Sequence, residues 1–543
     1  MPTNYLPFIN PATGEQFGQV AVASPDEARA AVCDMRQAGQ DWSRRPVAER
    51  VRALRRLQEV LIDARDEISL TITQDTGKPR QDALIEVFVS VDMLNDTCRH
   101  AAGWLRRERV SSGLYLFKRA YVEPQPYGVV AIIAPWNYPL ALCVPPLVAA
   151  LAAGNAVVLK PSEVTAATGA LVERLIARVP ELSPFVRVLH GDGAVGAAIV
   201  SAPPDFIFLT GSTPTGRKVM RAAAEHLTPM TCELGGKDAM LVLDDANVDA
   251  AAHWGAWGAF FNAGQTCMAV ERVYVQAGVY DAFVDKAVAA TQALQMGYSV
   301  SPDARFDVGP VTFPHQMEVI EAHMADAQAK GARVLAGGRR RGSFYEPTVL
   351  VDVTHDMLVM QEETFGPILP IMRAQDEAQA IRLANDSPFG LSASVWSQDR
   401  ARAERVAGQL QTGSVIINDA IAHFGVPQVP FGGVKQSGFG RTHGKAGVLQ
   451  FTQPHGYVVG AAPRAVDVAT VLRQPGHYWL GTALLRLFFG VTLRQRLEPA
   501  VEIAEGRAPV NPATVVGLAL GATALLAALA LIFGRRRPNG GGR

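Results

Sequence analysis

Apolar residues recur at helical spacing through the first hundred positions and then change to short continuous runs beyond residue 120. Asn10-Pro11-Ala12-Thr13-Gly14-Glu15 reads as a turn between short extended segments. Ser24-Pro25-Asp26-Glu27 has an N-cap residue, a proline at the first helical position and acids in the first turn, and Ala30, Val32 and Met35 continue the helix. A second helix is expected over about residues 46–64, with Val51, Leu54, Leu57, Val60 and Leu61 on one face. A third is expected over about residues 80–105, after the break Thr76-Gly77-Lys78-Pro79. From residue 127 the runs are those of buried strands: 127–135, 156–160, 185–189 and 205–210, with apolar helices between them. That alternation predicts an α/β protein whose mostly parallel sheet is covered by helices. Ligands of such sheets bind beyond the carboxyl ends of the strands, where Trp136-Asn137-Tyr138-Pro139, Pro161-Ser162-Glu163 and the turn after Thr210 lie. A second alternation of helices and strands runs over about residues 236–418.

Two stretches carry candidate chemistry. Phe260-Phe261-Asn262-Ala263-Gly264-Gln265-Thr266-Cys267 puts a cysteine between a glycine turn and the alternating stretch 271–276, at the mouth of a strand. Glu233-Leu234-Gly235-Gly236-Lys237 sets a carboxylate beside two glycines, where backbone can pass close to a ligand. Singly, the first is most simply a packed thiol and the second a turn with a solvated acid. Together they supply a soft nucleophile and a general base, the pair needed when a thiol captures a carbonyl and water later releases the product. Cys232, beside the acid, points to the opposite side if the segment is extended and reads as a packed thiol.

Two glycine turns compete for a phosphate. Gly191-Asp192-Gly193-Ala194-Val195-Gly196 fits G-x-G-x-x-G letter by letter, but a strand-to-helix corner explains so short a match. Gly211-Ser212-Thr213-Pro214-Thr215-Gly216 follows a stronger strand and opens a helix, so its N–H groups and the Ser212 hydroxyl are favoured for a pyrophosphate. Lys160 and Glu163, one strand earlier, suit ribose hydroxyls, the acid favouring an unphosphorylated 2′-OH.

Composition narrows the setting. A chain of 543 residues exceeds one ordinary domain. Fifty-one basic residues balance 51 acidic ones, so no nucleic-acid partner is expected. Cys33, Cys98, Cys143, Cys232 and Cys267 form no Cys-x-x-Cys pair and are odd in number, which predicts neither a metal site nor a disulfide framework. The first ten residues lack the charged and apolar regions of a secretory signal.

In this order the motifs resemble the NAD(P)-dependent aldehyde dehydrogenase superfamily across about residues 9–453: Pro135-Trp136-Asn137, Lys160-Pro161-Ser162-Glu163, Gly211-Ser212-Thr213, Glu233-Leu234-Gly235-Gly236-Lys237, Gly264-Gln265-Thr266-Cys267 and Glu363-Thr364-Phe365-Gly366-Pro367. The resemblance implies a Rossmann-like cofactor domain (1–108 and 124–235), an α/β catalytic domain (236–440) and a bridging element used in a homodimer (109–123 and 441–455). It implies Cys267 as nucleophile, Asn137 as oxyanion donor with the Cys267 N–H, and Glu233 as the base for thioester hydrolysis. Trp136, Lys160, Glu163, Gly211, Ser212, Gly216, Glu363 and Phe365 would hold NAD, with NADP as an alternative. The glycine-dense stretch 430–441 reads as structural rather than catalytic, and Arg441-Thr442-His443-Gly444-Lys445 is similar to the fatty-aldehyde and class 3 branch.

Some ninety residues follow the resemblance. Within the linker 456–512, residues 478–493 are apolar but carry Arg486, and read equally as an interfacial or a core helix. Residues 513–533 carry no charge and precede the basic tail 534–543, which predicts a transmembrane anchor, a lipid bilayer as partner and a catalytic domain on the cytoplasmic side. The substrate expected from that setting is a hydrophobic, lipid-derived aldehyde, with a membrane-tethered semialdehyde dehydrogenase or an inactive scaffold as the rivals.

Overall fold

A computed structural model describes residues 5–113, 115, 118–460, 473 and 477–509. The early helices form where the apolar spacing puts them. Helix α1 (Pro25–Ser43) starts with a capping box, in which Ser24 Oγ accepts from Glu27 N at 3.2 Å and Glu27 Oε2 accepts from Ser24 N at 2.7 Å. Helix α2 (Val47–Asp63) buries Leu54, Leu57 and Leu61. Helix α3 (Arg65–Thr76) has no counterpart in the sequence expectations. Its buried face mixes Ile68 and Ile72 with Ser69, Thr73, Asp75 and Thr76, so the apolar period is hidden. Those polar groups are not idle: Asp75 Oδ2 accepts from Thr168 N at 2.7 Å and Thr168 Oγ1 at 2.8 Å. Gly77, at φ +79°, ends α3 in the left-handed region, and α4 (Arg80–Trp104) begins directly after Pro79.

Two mostly parallel sheets follow. The first runs, edge to edge, Gly438–Phe439, Met230–Glu233, Phe206–Thr210, Val129–Ile133, Ala156–Lys160 and Val186–Val188. All pairs are parallel except Gly438–Phe439 on Met230–Glu233. The five parallel strands therefore lie in the order third, second, first, fourth, fifth, the Rossmann arrangement. Chain direction across the sheet reverses between Val129–Ile133 and Phe206–Thr210, which opens a crevice at their carboxyl ends. Helix α5 (Val144–Ala153) and α2 cover one face through a core that includes Val130, Ile132, Val157, Leu159 and Phe208. The second sheet has seven strands, with Ala239–Val242 and Arg272–Gln276 at its centre, paired in parallel. Every residue of Arg272–Gln276 is buried, so the side-chain alternation after Cys267 becomes a strand covered on both faces. The α/β class with a Rossmann-like part thus holds.

The C-terminal helices His477–Phe489 and Leu493–Ala504 form a hairpin. Trp479 Nε1 and Arg486 Nη1 donate to the two oxygens of Glu502 at 2.7 and 2.9 Å. The membrane placement expected from the tail is corrected here. At 1.5 Å per residue a 13-residue helix reaches only about 20 Å of the ~30 Å hydrocarbon core. Among the described residues no helix is long and apolar enough to cross a membrane. Residues 513–533, on which the anchor and the membrane localisation rested, lie outside the described residues. The fatty-aldehyde layout loses its support with them.

Candidate active site

The loop that ends at Cys267 is strained before it reaches its cysteine. Asn262, Ala263 and Gly264 have φ of 54°, 56° and 73°, three left-handed residues in succession. Glycine and asparagine tolerate this region, but alanine there costs on the order of 1–2 kcal/mol. Glycine is required at 264, because a Cβ there would lie 2.2 Å from the Gly366 carbonyl oxygen. Side-chain amides hold the loop in shape. Asn262 Nδ2 donates to the carbonyls of Asn137 and Gln265 at 3.1 and 3.2 Å. Gln265 Nε2 donates to Asn262 O at 2.9 Å, and its Oε1 accepts from Thr312 N at 2.7 Å. Asn137 Nδ2 donates to Gln265 O at 3.1 Å, which leaves its second N–H for another acceptor. Cys267 follows, partly exposed.

The Glu233 segment meets that loop through its glycines. A Cβ on Gly236 would stand 2.5 Å from Cys267 O, and one on Gly235 2.2 Å from Glu363 Oε2. Gly236 N donates to Glu363 Oε1 at 2.9 Å. The three motifs, far apart in sequence, thus converge only because two side chains are missing. Glu233 ends its strand, paired with Thr210 on one side and Gly438 on the other. It is 6% exposed, and neither carboxyl oxygen has a hydrogen-bond partner among the described residues. Burial pushes its carboxyl well above the usual range, against a smaller opposing pull from Arg441. Burial also raises the Cys267 thiol, reinforced by Asp238, Glu363 and Glu233, so the resting thiol keeps its proton. Cys232, one residue back, is buried against Leu209, as extended geometry predicts.

Around these groups lies a cavity of about 1080 Å³, bordered by Asn137, Glu233 and Cys267 and by the carboxyl ends of the first sheet. Lys160 Nζ donates to Glu163 Oε2 at 3.1 Å, with Lys160 buried and Glu163 more open. Ser212 caps the helix Thr213–Ala224 by accepting from Thr215 N. Gly211 lines the cavity, whereas Gly216 does not; a Cβ there would lie 2.8 Å from Leu234 Cδ1, so it serves close helix packing. The weaker glycine turn also reaches the cavity, through Gly193 and Gly196. Two helix N-termini with Lys160, Arg217 and Lys218 therefore face one crevice, a donor set suited to a dinucleotide's phosphates. Glu363, raised to about 8 by burial, and Phe365 border it beside Trp136, whose ring meets Phe365 edge-on at 5.5 Å. Phe365 sits at φ 48°; its N–H and that of Thr364 each donate to Glu271 at 2.8 Å. Glu271 is in turn paired with buried Lys237 at 2.6 Å.

Sequence reasoning passed over the opposite end. The stretch expected to be structural supplies Phe431, and its neighbours Phe424 and His443 complete an aromatic wall. The only signal was aromatic residues spaced among glycines, which no short motif records. His423 packs on Phe431 with both ring nitrogens unpartnered among the described residues. Burial lowers the His423 and His443 pKa values to about 4. An unfolded chain takes up such protons near pH 6.5, whereas the fold resists them until about pH 4, so acid favours unfolding across that window. Replacing His423 by phenylalanine is expected to recover about 2 kcal/mol of the stability lost between pH 7 and pH 5. Urea melts of both proteins at the two pH values check this; equal acid sensitivity would show that His423 titrates alike in the folded and the unfolded chain.

Comparison with known proteins agrees with this geometry. Residues 2–456 match the Aldehyde dehydrogenase family. A 4,4'-diapolycopene aldehyde oxidase of Methylomonas is 44% identical over 449 residues, which cover 82% of this chain and 84% of the relative. A betaine aldehyde dehydrogenase from Staphylococcus aureus, solved in complex with NAD+, superposes with a TM-score of 0.81 at 31% identity, over 86% of this chain and 93% of that one. An NADP-dependent glyceraldehyde-3-phosphate dehydrogenase from Bacillus halodurans, complexed with NADP, gives 0.80 at 34%, over 84% and 96%. With cysteine, acid and dinucleotide crevice in one cavity, the chain belongs to the aldehyde dehydrogenase family and is an NAD(P)-dependent enzyme that oxidises an aldehyde to its carboxylic acid.

Proposed function

We propose that the protein oxidises hydrophobic aldehydes, with Cys267 as nucleophile, Asn137 as oxyanion donor and Glu233 as hydrolytic base. The observation that carries the reading is the convergence of these three side chains on one cavity whose other end is the strand-end crevice. Lys160, Glu163, Gly211, Ser212 and Trp136 would hold the dinucleotide, and Glu363 with Phe365 its nicotinamide end. Bound NAD(P)+ supplies the hydride acceptor. The Cys267 sulfur, once deprotonated, adds to the aldehyde carbon, and the new oxyanion takes the free Asn137 N–H and the Cys267 backbone N–H. Fixed donors of this kind contribute about 3 kcal/mol each. Loss of hydride from that carbon leaves a thioester on Cys267. Glu233, in its ionised form, takes a proton from water, which attacks the thioester and frees the acid and the thiol.

The apolar substrate is supported by what surrounds the sulfur away from the crevice. Met93, Leu142, Pro145, Phe424, Phe431 and Val448 line the cavity there. The lining lysines and arginines among the described residues are Lys160, Arg217 and Lys218, from the strand-end side. None is left to pair with the carboxylate of a semialdehyde. The name of the Methylomonas relative, an oxidase of a 4,4'-diapolycopene aldehyde, points the same way. In a series of straight-chain aldehydes kcat/KM is expected to rise by up to about fourfold per added methylene until the apolar end of the cavity is filled. A flat series, or a preference for short or carboxylated aldehydes, would remove the substrate assignment.

A further inference from the structure

We propose that Lys78 and Glu86 are positioning residues for the Asn137 side chain, through a buried ion pair that spends its remaining hydrogen bonds on the Asn137 loop. The inference rests on the reading of Asn137 as the oxyanion donor. Lys78 and Glu86, at the break before α4 and in its second turn, meet at 2.6 Å with about 1% of either side chain exposed. Lys78 Nζ also donates to the Asn137 carbonyl at 2.8 Å and stands 4.3 Å from the centre of the Tyr138 ring. All its directions are occupied. The second oxygen of Glu86 accepts from Leu140 N at 3.1 Å and from Ala141 N at 3.3 Å. The Asn137 carbonyl receives a further bond from Asn262 Nδ2. Tyr138 completes the circuit, its hydroxyl lying 2.6 Å from Thr266 Oγ1, one residue before the nucleophile. The segment 137–141 is therefore held at both ends, by a cation on the Asn137 carbonyl and by a carboxylate on the N–H groups of Leu140 and Ala141. A side-chain amide can be aimed at a point 3 Å away only if its own backbone does not move.

A buried pair is weak evidence for a stabilising role, since neutral replacements of both partners are often tolerated. Placement is the better account of two charges whose spare hydrogen-bonding capacity goes to one loop. Small displacements of a catalytic group have large consequences: a shift of about 1 Å can cost on the order of 100-fold in rate.

The test compares Lys78→Met/Glu86→Gln, Asn137→Ala and their combination in the full chain, with decanal as substrate. The paired variant is expected to melt within a few degrees of the parent, to bind NAD+ with unchanged affinity by fluorescence titration, and to lose about ten- to a hundredfold in kcat with a smaller change in KM. In the Asn137→Ala background the same pair of changes should alter kcat less than about twofold, because its target is already gone. Full multiplication of the two losses, or an unchanged kcat in the paired variant, overturns the inference while leaving the role of Asn137 intact. Wild-type turnover in Asn137→Ala alone would instead overturn the oxyanion reading, and this inference with it. If the paired variant does not fold, Glu86→Gln alone, which keeps an acceptor for the turn, is carried through the same cycle with the same outcomes.

Discussion

Cys267→Ser is expected to lower aldehyde oxidation by about 10⁴-fold or more, while melting temperature and NAD+ binding stay near those of the parent. The exchange removes one polarisable sulfur and little volume. Its effect should therefore be chemical. A serine hydroxyl needs a strong base to become a nucleophile, and burial raises the Glu233 carboxyl well above its usual range, so that it is slow to take up that role. The thiol is itself pushed up, by burial first and then by the neighbouring carboxyls. Sulfur tolerates this because even a small thiolate fraction reacts quickly. NADH formation in single turnover reads the loss directly. Turnover within about tenfold of the parent would move the covalent step to another residue and undo the mechanism.

What could be read in the chain beforehand, and what could not, follows from how each feature is encoded. Val129–Ile133, Ala156–Lys160 and Phe206–Thr210 were legible because each is a short apolar run closed by Pro or Gly, and parallel burial on both faces writes such runs, whereas Met230–Glu233 was not among the expected strands. Cys267, Glu233 and Glu363 could be singled out because each stands in a local motif with glycines at fixed offsets, and Asn137 because it stands between prolines at the end of a strand. The fold explains the offsets at 235 and 236, where a side chain would meet Glu363 and the Cys267 carbonyl. Helix α3 was not legible, since its buried Ser, Thr and Asp side chains disguise the period. The aromatic wall was not legible either. Phe424, Phe431 and His443 are brought together by a loop whose glycines at 432, 438 and 440 have φ between 93° and 153°, a path that apolar periodicity does not describe. Lys78 fell in the break before a helix and Glu86 inside that helix without either being singled out, and only the fold reveals that both are buried, Lys78 on the Asn137 carbonyl and Glu86 on the turn after it. Gly216 fitted a phosphate turn by its spacing, yet its neighbour is Leu234.

Glu233→Gln is expected to separate the two halves of the reaction. The first NADH per active site should form at near the parental amplitude, because capture of the aldehyde and loss of hydride need the sulfur and the oxyanion donors. Steady-state turnover should then fall by about 10²–10⁴-fold, since the thioester has lost the group that activates water. The parent's kcat should climb as pH rises above the usual carboxylate range, because Glu233 works only when ionised and burial delays its ionisation. The variant should lose that limb. Stability carries the opposite sign. In the unfolded chain this carboxyl releases its proton near pH 4.5, whereas in the fold it holds it to much higher pH, so the parent loses stability as pH rises through that interval. A glutamine at 233 does not ionise, and the variant should melt progressively higher than the parent as pH increases. That crossing of activity and stability marks a buried carboxyl that has no hydrogen-bond partner among the described residues. Loss of the burst together with turnover would put Glu233 ahead of thioester formation, acting on the Cys267 thiol instead of on water.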